Sequence, residues 1–149
     1  MPGTQPHSVS VAGVVLNDAG QVLMVKRHDN GHWEPPGGVL ELDETFAQGV
    51  HREVLEETGV RVSVGPLTGV YKNMTRGIIA LVFRCTVEAG QARTSDEATE
   101  VAWLEPTDAL ARMTPAYAVR VNDALPGSDI PHVRVHDGTH LVCLGSGDG

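Results

Sequence analysis

The chain has 149 residues, 41% of them apolar, and a formal net charge of −8, which fits one globular domain. This acidity argues against a polyanion-binding module, whose affinity rests on clustered Lys and Arg. It leaves room for a small phosphorylated ligand whose charge is met by a metal ion. No apolar run approaches the roughly 18 residues of a membrane span. Residues 1–7 lack the basic and apolar stretches of a secretory signal, so a cytoplasmic protein is expected. Cys85 and Cys143 stand in apolar segments without Cys-x-x-Cys spacing and read as buried thiols in preference to a disulfide.

In chain order, residues 1–7 read as a loose tail, 8–144 as a single domain and 145–149 as a second tail. Ser8 to Leu16 and Gln21 to Lys26 predict a hairpin around Asn17-Asp18-Ala19-Gly20. A Gly- and Pro-rich loop follows from His28 to Gly38. Asp43 is the expected N-cap of a helix with Glu44 in its first turn, ending near Thr58 with Gly59 just past the end. Arg61 to Val64 and Val70-Tyr71 predict a strand interrupted at Gly65-Pro66. Ile78 to Val87 is the clearest strand, a long apolar run rich in β-branched residues. Ala89 to Thr99 reads as a polar loop and Glu100 to Leu104 as a short strand. Pro106 to Met113 predicts a short helix, and Thr114 and Pro115 the N-cap and first residue of another that ends before Pro126. Val133 to Val142 predicts a late hairpin turning at Asp137-Gly138. Strands and helices mix without regular βαβ alternation, which predicts an α/β or α+β sandwich around a mixed sheet.

The informative stretch is Gly38 to Val60. Glu53, Glu56 and Glu57, spaced i, i+3 and i+4, fall on one helix face. Phe46, Val50 and Val54 form the adjoining stripe, expected to pack on the sheet. Gly49 lies one turn before Glu53 and permits a close approach to the helix. Like charges one turn apart cost a helix about 0.2–0.5 kcal/mol. A hard divalent cation, which prefers oxygen ligands, would turn that repulsion into a site.

The segment reads Gly38, five residues, Glu44, seven residues, then Arg52-Glu53-Val54-Leu55-Glu56-Glu57-Thr58-Gly59-Val60, preceded by Trp33-Glu34-Pro35-Pro36-Gly37. It resembles the signature box of the Nudix hydrolase family (MutT-like proteins) at every defined position. The likeness extends, through the order of predicted strands, over roughly residues 8–125 and fades after Pro126.

The resemblance implies an α/β/α sandwich with a mixed β-sheet and a loop–helix–loop metal site for Mg²⁺, with Mn²⁺ as a substitute. It implies Glu53 and Glu57 as metal ligands, Glu56 sharing the site, and Gly38 offering its carbonyl. Arg52 is expected to orient a catalytic glutamate, and Glu44 to support the metal site or the loop. In many relatives the general base lies outside the box, on a loop before a late strand. Glu97 is the first choice here, with Glu100 and Glu56 as the others. Arg27, Arg76 and Lys72 are candidate phosphate contacts, and Trp33 and Tyr71 either stack on a base or pack. Of the seven His residues, His28, His32 and His51 read as solvated.

The implied reaction is metal-dependent hydrolysis of a diphosphate linkage in a small nucleotide-like substrate. A nucleoside triphosphate is preferred. The Pro that marks the ADP-ribose subgroup is replaced by Thr75-Arg76, and the Tyr of the diadenosine polyphosphate subgroup by Gly77-Ile78. ADP-ribose or nucleotide-sugar hydrolysis is the alternative within the family. A non-catalytic nucleotide-sensing domain is the alternative from another class, against which the intact box argues. An isomerase of isoprenyl diphosphate would need Cys or His beside the box loop, where this chain's two cysteines do not fall. Nucleic-acid polymers and membranes are not expected partners. A homodimer is compatible, with Val133 to Val142 either as its contact or as an extra edge pair on the sheet.

Overall fold

Alternation along the first strand sets the architecture. In the computed structural model β1 (Ser8–Leu16) sends Val11 and Val15 to one face of the sheet and Val14 to the other, and all three are buried. β1 runs parallel to β6 (Ile78–Ala89) along its whole length, from Ser8↔Ile78 to Leu16↔Thr86. β6 in turn pairs antiparallel with β5 (Arg61–Asn73). The structure describes residues 5–127 and 129–142. Part of the expected N-terminal tail, Cys143 and the expected 145–149 tail lie outside the described residues.

The remaining strands are β2 (Val22–Arg27), β3 (Trp33–Glu34), β4 (Gly37–Val39), β7 (Ala98–Leu104) and β8 (His132–His136). Among the described residues the strands form one 8-stranded mixed sheet in the order β3-β2-β1-β6-β5-β8, with β4 beside β1 and β7 beside β2. The helices are α1 (Phe46–Thr58), α2 (Pro106–Ala111) and α3 (Pro115–Ala124). On one face α1 packs Val50 and Val54 against Val11, Val15, Leu23, Val62 and Cys85. On the other, Ala109 of α2 and Val121 and Ala124 of α3 meet Val14, Met24, Tyr71 and Val82. Each fully buried Val or Leu contributes about 1.5–3 kcal/mol, so both helical layers are firmly seated. This is the expected α/β/α sandwich. Among the described residues no helix is long and apolar enough to cross a membrane.

Several local expectations are corrected. The predicted β1–β2 hairpin holds only at its turn, with Leu16↔Val22 as its register pair, because farther along β2 gives that edge to β3 (Val25↔Glu34, Lys26↔Trp33) and β1 gives its own to β4. The helix N-cap is Thr45, not Asp43. Thr45 Oγ1 accepts from the Gln48 N–H at 3.1 Å while Gln48 Oε1 accepts from the Thr45 N–H at 2.8 Å, a reciprocal capping box. Glu44 therefore precedes the helix and leaves no acid in its first turn. Phe46, the first helical residue, is 51% exposed and does not share the buried stripe of Val50 and Val54. Gly65-Pro66 does not break β5, which absorbs them through register shifts between Val64 and Leu67. Within the described residues the late hairpin comprises β8, the bridge His136↔Leu141 and the Val142 N–H on the Val135 carbonyl at 2.9 Å, while β8 also pairs parallel with β5. Gly59 closes α1 as expected, at φ 77° with its N–H on the Leu55 carbonyl.

Candidate active site

The parting of β1 from β2 creates the site. Beyond their shared turn the two strands splay, and the chain crosses the gap from β3, paired with β2, to β4, paired with β1. Buried Pro35 and Pro36 make the crossing, and the Pro36 carbonyl accepts from the Gly13 N–H at 3.0 Å. This brings Gly37 and Gly38 against the flank of α1. A Cβ at position 38 would lie 2.6 Å from Glu53 Oε1, so only glycine lets this backbone meet that carboxylate. The Gly37 N–H donates to Glu57 Oε1 at 3.3 Å.

Glu53 and Glu57, one turn apart on α1, are buried. Glu97 reaches them from the loop before β7. That loop is pinned at both ends: the His28 N–H donates to the Glu97 carbonyl at 2.9 Å, and the Arg93 N–H to the Thr58 carbonyl at 2.8 Å. As a result Glu53, Glu57 and Glu97 each place a carboxylate oxygen within 4.8 Å of the others. They border a cavity of about 530 Å³ that also touches Ser10, Arg27 and Asp96.

Charge is distributed unevenly. Arg52 donates to Glu44 at 2.6 and 3.0 Å, to Glu53 at 2.8 Å, and to the Val39 carbonyl at 3.2 Å. Arg52 thus ties the loop after β4 to the helix. It also holds the Glu44 carboxyl down at about pKa 2, helped by the Glu41 N–H. Glu57 has no such cation. Burial, then the neighbouring Glu53 carboxylate, push it up to about 9, against the pull of the Gly37 N–H. A buried pair of carboxylates with a third converging on them is a hard-oxygen donor set, and a divalent cation such as Mg²⁺ fits its chemistry. Glu53, Glu57 and Glu97 are the side chains that could hold it.

A family model described as the NUDIX domain matches residues 6–123. The chain belongs to the Nudix hydrolase family. A MutT-like protein of Streptomyces ambofaciens is 61% identical over 139 residues, 93% of this chain and 90% of the relative. A Bacillus subtilis (strain 168) protein provisionally named an 8-oxo-dGTP diphosphatase is 30% identical over 132 residues, covering 88% and 89%. The crystal structure of a MutT protein from Bacillus halodurans superposes with a TM-score of 0.75 over 91% of this chain and 95% of that one. At 23% identity that likeness speaks for the Nudix fold alone.

Within the Nudix box the residues expected to act together are partly separated. Glu56 is exposed, turns toward Arg52 at 3.4 Å, and stands outside the three-carboxylate group. Glu100 pairs with Lys26 at 3.5 Å, away from that group. Arg27 reaches the cavity but is held by Asp29 at 2.7 Å and Glu34 at 3.0 Å. Arg76 is exposed on the rim of an adjoining cavity. Trp33 lies in the same wall, half-buried against the core, with the Arg112 guanidinium 5.1 Å from its ring centroid. Tyr71 is corrected from a substrate contact to a core residue: it is fully buried and donates to Asp123 Oδ2 at 2.7 Å. Gly49 faces Leu40 and Glu44, so the close approach there is made by the box's own loop. His28 and His32 are exposed as expected, and His51 is half-buried. Sequence reasoning missed Glu34, Asp96 and Arg120. A signal for Arg120 existed, since it stands at helical spacing from Ala116 and Ala124, one turn to either side, and both alanines are buried on α3.

Proposed function

We propose that this Nudix hydrolase is a divalent-cation-dependent pyrophosphohydrolase of nucleoside triphosphates, releasing a nucleoside monophosphate and pyrophosphate. The observation that carries the reading is the meeting of Glu53, Glu57 and Glu97 within 4.8 Å beside the bare backbone of Gly38. A Mg²⁺ ion bound there, or Mn²⁺ in its place, would draw charge from the phosphate oxygens and lower the pKa of a coordinated water. Glu53 and Glu57 are the ligands, and burial fixes their rotamers. Glu97 is the base: as a water oxygen attacks phosphorus and the anhydride P–O bond breaks, Glu97 accepts the water's proton. Its place on a loop, pinned but exposed, lets it reach both the cation and the water. Arg52 is a positioning residue that orients Glu53 and, through Glu44, the loop that presents Gly38. Arg27, Trp33 and Arg76 line the way along which the nucleotide would lie. We read the chain as cytoplasmic, in keeping with Cys85 as a buried thiol without a disulfide among the described residues.

The test is turnover of a nucleotide panel with Mg²⁺, following monophosphate release. Glu53→Gln, Glu57→Gln and Glu97→Gln should each lower turnover by orders of magnitude while the protein stays folded. Full activity in the Glu53 and Glu57 variants would reject the site. Hydrolysis of ADP-ribose with no action on any triphosphate would replace the substrate class.

A further inference from the structure

The cavity beside the carboxylates shares Arg27, Gly37 and Gly38 with an adjoining corner that is also lined by Glu34, Tyr117 and Arg120. Arg120 is the unusual residue in that corner. Its Cζ lies 4.6 Å from the Tyr117 ring centroid and 5.2 Å from that of Tyr71, so aromatic rings occupy the space around the guanidinium. Guanidinium N–H groups lie in its plane and need acceptors there. Among the described residues Arg120 has no carboxylate partner. Its Nε is buried without a hydrogen bond, and among the described residues its one side-chain polar contact at hydrogen-bond distance is Nε2 of buried His136, 3.2 Å from Nη2.

That neighbour does not satisfy it. The Gly138 N–H donates to His136 Nδ1 at 3.0 Å. A neutral imidazole has one donor and one acceptor nitrogen, so with Nδ1 accepting, Nε2 carries the hydrogen and faces another donor. Protonating the ring would only add a second cation beside the first. A desolvated cation without a bonded acceptor is costly, and the one carboxylate on the same wall, Glu34, is bonded to Arg27 instead. The contrast with the neighbouring Arg134 is direct: that guanidinium holds Asp123 through two bonds, at 2.7 and 2.8 Å. Arg120 points instead into the cavity, at the end away from Glu53 and Glu57.

We infer that Arg120 is a specificity-determining residue that receives the in-plane acceptor edge of the substrate's base, selecting bases that present a carbonyl oxygen and ring nitrogen side by side over those that present an amino group. A planar fork matches such an edge with two parallel hydrogen bonds, as arginine does with O6 and N7 of guanine. Adenine offers an amino donor at the same place, which opposes the guanidinium donors. His136 and the two tyrosines act through Arg120 by holding its plane. This inference rests on the nucleotide reading above and adds which bases the site accepts.

The experiment compares GTP, ITP, 7-deaza-GTP and ATP by kcat/KM, and the matching diphosphates by equilibrium binding, on the full chain. The variants are Arg120→Met and Arg120→Lys, with thermal unfolding to verify folding. Wild type should favour GTP and ITP over ATP by about 5- to 150-fold, the range for one bidentate pair. 7-deaza-GTP, lacking N7, should lose part of that preference with no mutation made. Both variants should erase it, Arg120→Lys because a point charge lacks the fork. Equal losses for GTP and ATP in Arg120→Met would indicate a phosphate or purely structural contact and overturn the assignment, as would undiminished selectivity in the variants. If wild type binds guanosine over adenosine nucleotides in an Arg120-dependent way yet releases no monophosphate, the hydrolase reading falls and the assignment of Arg120 stands.

Discussion

Glu57→Gln should stabilise the metal-free protein at neutral and alkaline pH, although it removes a residue assigned to the centre of the site. Burial and Glu53 raise the Glu57 carboxyl from 4.5 to about 9 in the folded state. Between those values the folded chain keeps a proton that the unfolded chain has released. The unfolded state binds fewer protons, so stability falls as pH rises. The contribution is fully present below about pH 4.5 and is lost as pH climbs through about 9. At pH near 7.5, three units above the unfolded value, about 1.4 kcal/mol per unit sets a ceiling of about 4 kcal/mol. Glutamine titrates nowhere in this range and keeps an acceptor for the Gly37 N–H. Without metal near pH 8 the variant should therefore exceed wild type by about 2–4 kcal/mol, or roughly 5–15 °C in Tm. Near pH 5 the gap should almost close. Adding Mg²⁺ should reverse the order, since a ligand that binds the native state stabilises it and the variant has lost a charged donor. Thermal unfolding in chelator and in Mg²⁺, at both pH values, reads all of this. A variant no more stable than wild type near pH 8 in chelator would refute the argument that two buried carboxylates strain the metal-free fold.

Other outcomes follow from single contacts. Gly38→Ala should weaken Mn²⁺ binding, read by titration, because its Cβ would stand 2.6 Å from the Glu53 carboxylate. Glu56→Gln should retain turnover within a few-fold while Glu97→Gln loses it by orders of magnitude, a contrast that steady-state kinetics resolves and that equal losses would contradict. Thr45→Ala should cost about 1 kcal/mol in urea unfolding through loss of the cap. Tyr71→Phe should cost about 1.5–3 kcal/mol, because it removes a buried hydrogen bond to a carboxylate. A loss confined to activity in that variant would return Tyr71 to the cleft.

What the sequence disclosed was whatever local spacing encodes. Gly38, Arg52, Glu53, Glu57 and Gly59 lie on one short loop and helix, so their offsets alone predict which side chains share a face and where the helix stops. Glu97 was legible for a different reason: it stands in a polar loop just before a strand, and the structure joins it to the box acids. Glu56 misled because three glutamates within one helical arc look equivalent on a wheel, yet Arg52 draws Glu56 outward to 3.4 Å. The splaying of β1 from β2 was hidden because their facing edges go to β3 and β4, strands of two and three residues that lie largely within the segment read as a Gly- and Pro-rich loop. Tyr71 and Asp123 bond across 52 positions, and no local pattern marks an aromatic residue near the box as inward-facing. Phe46 shows the limit of the helical stripe: it belongs to the right arc, four residues before Val50, yet as the first residue of α1 it is 51% exposed.

The divergence of β1 from β2 carries a consequence for how ligands would come and go. The backbone groups that face the gap are already bonded elsewhere, to β4 on the β1 side and to β3 on the β2 side. The walls cannot zip together when a nucleotide departs, for they have no free ladder to form. The opening is therefore a permanent wedge. Association should need little hinge movement and so should proceed in one fast kinetic phase.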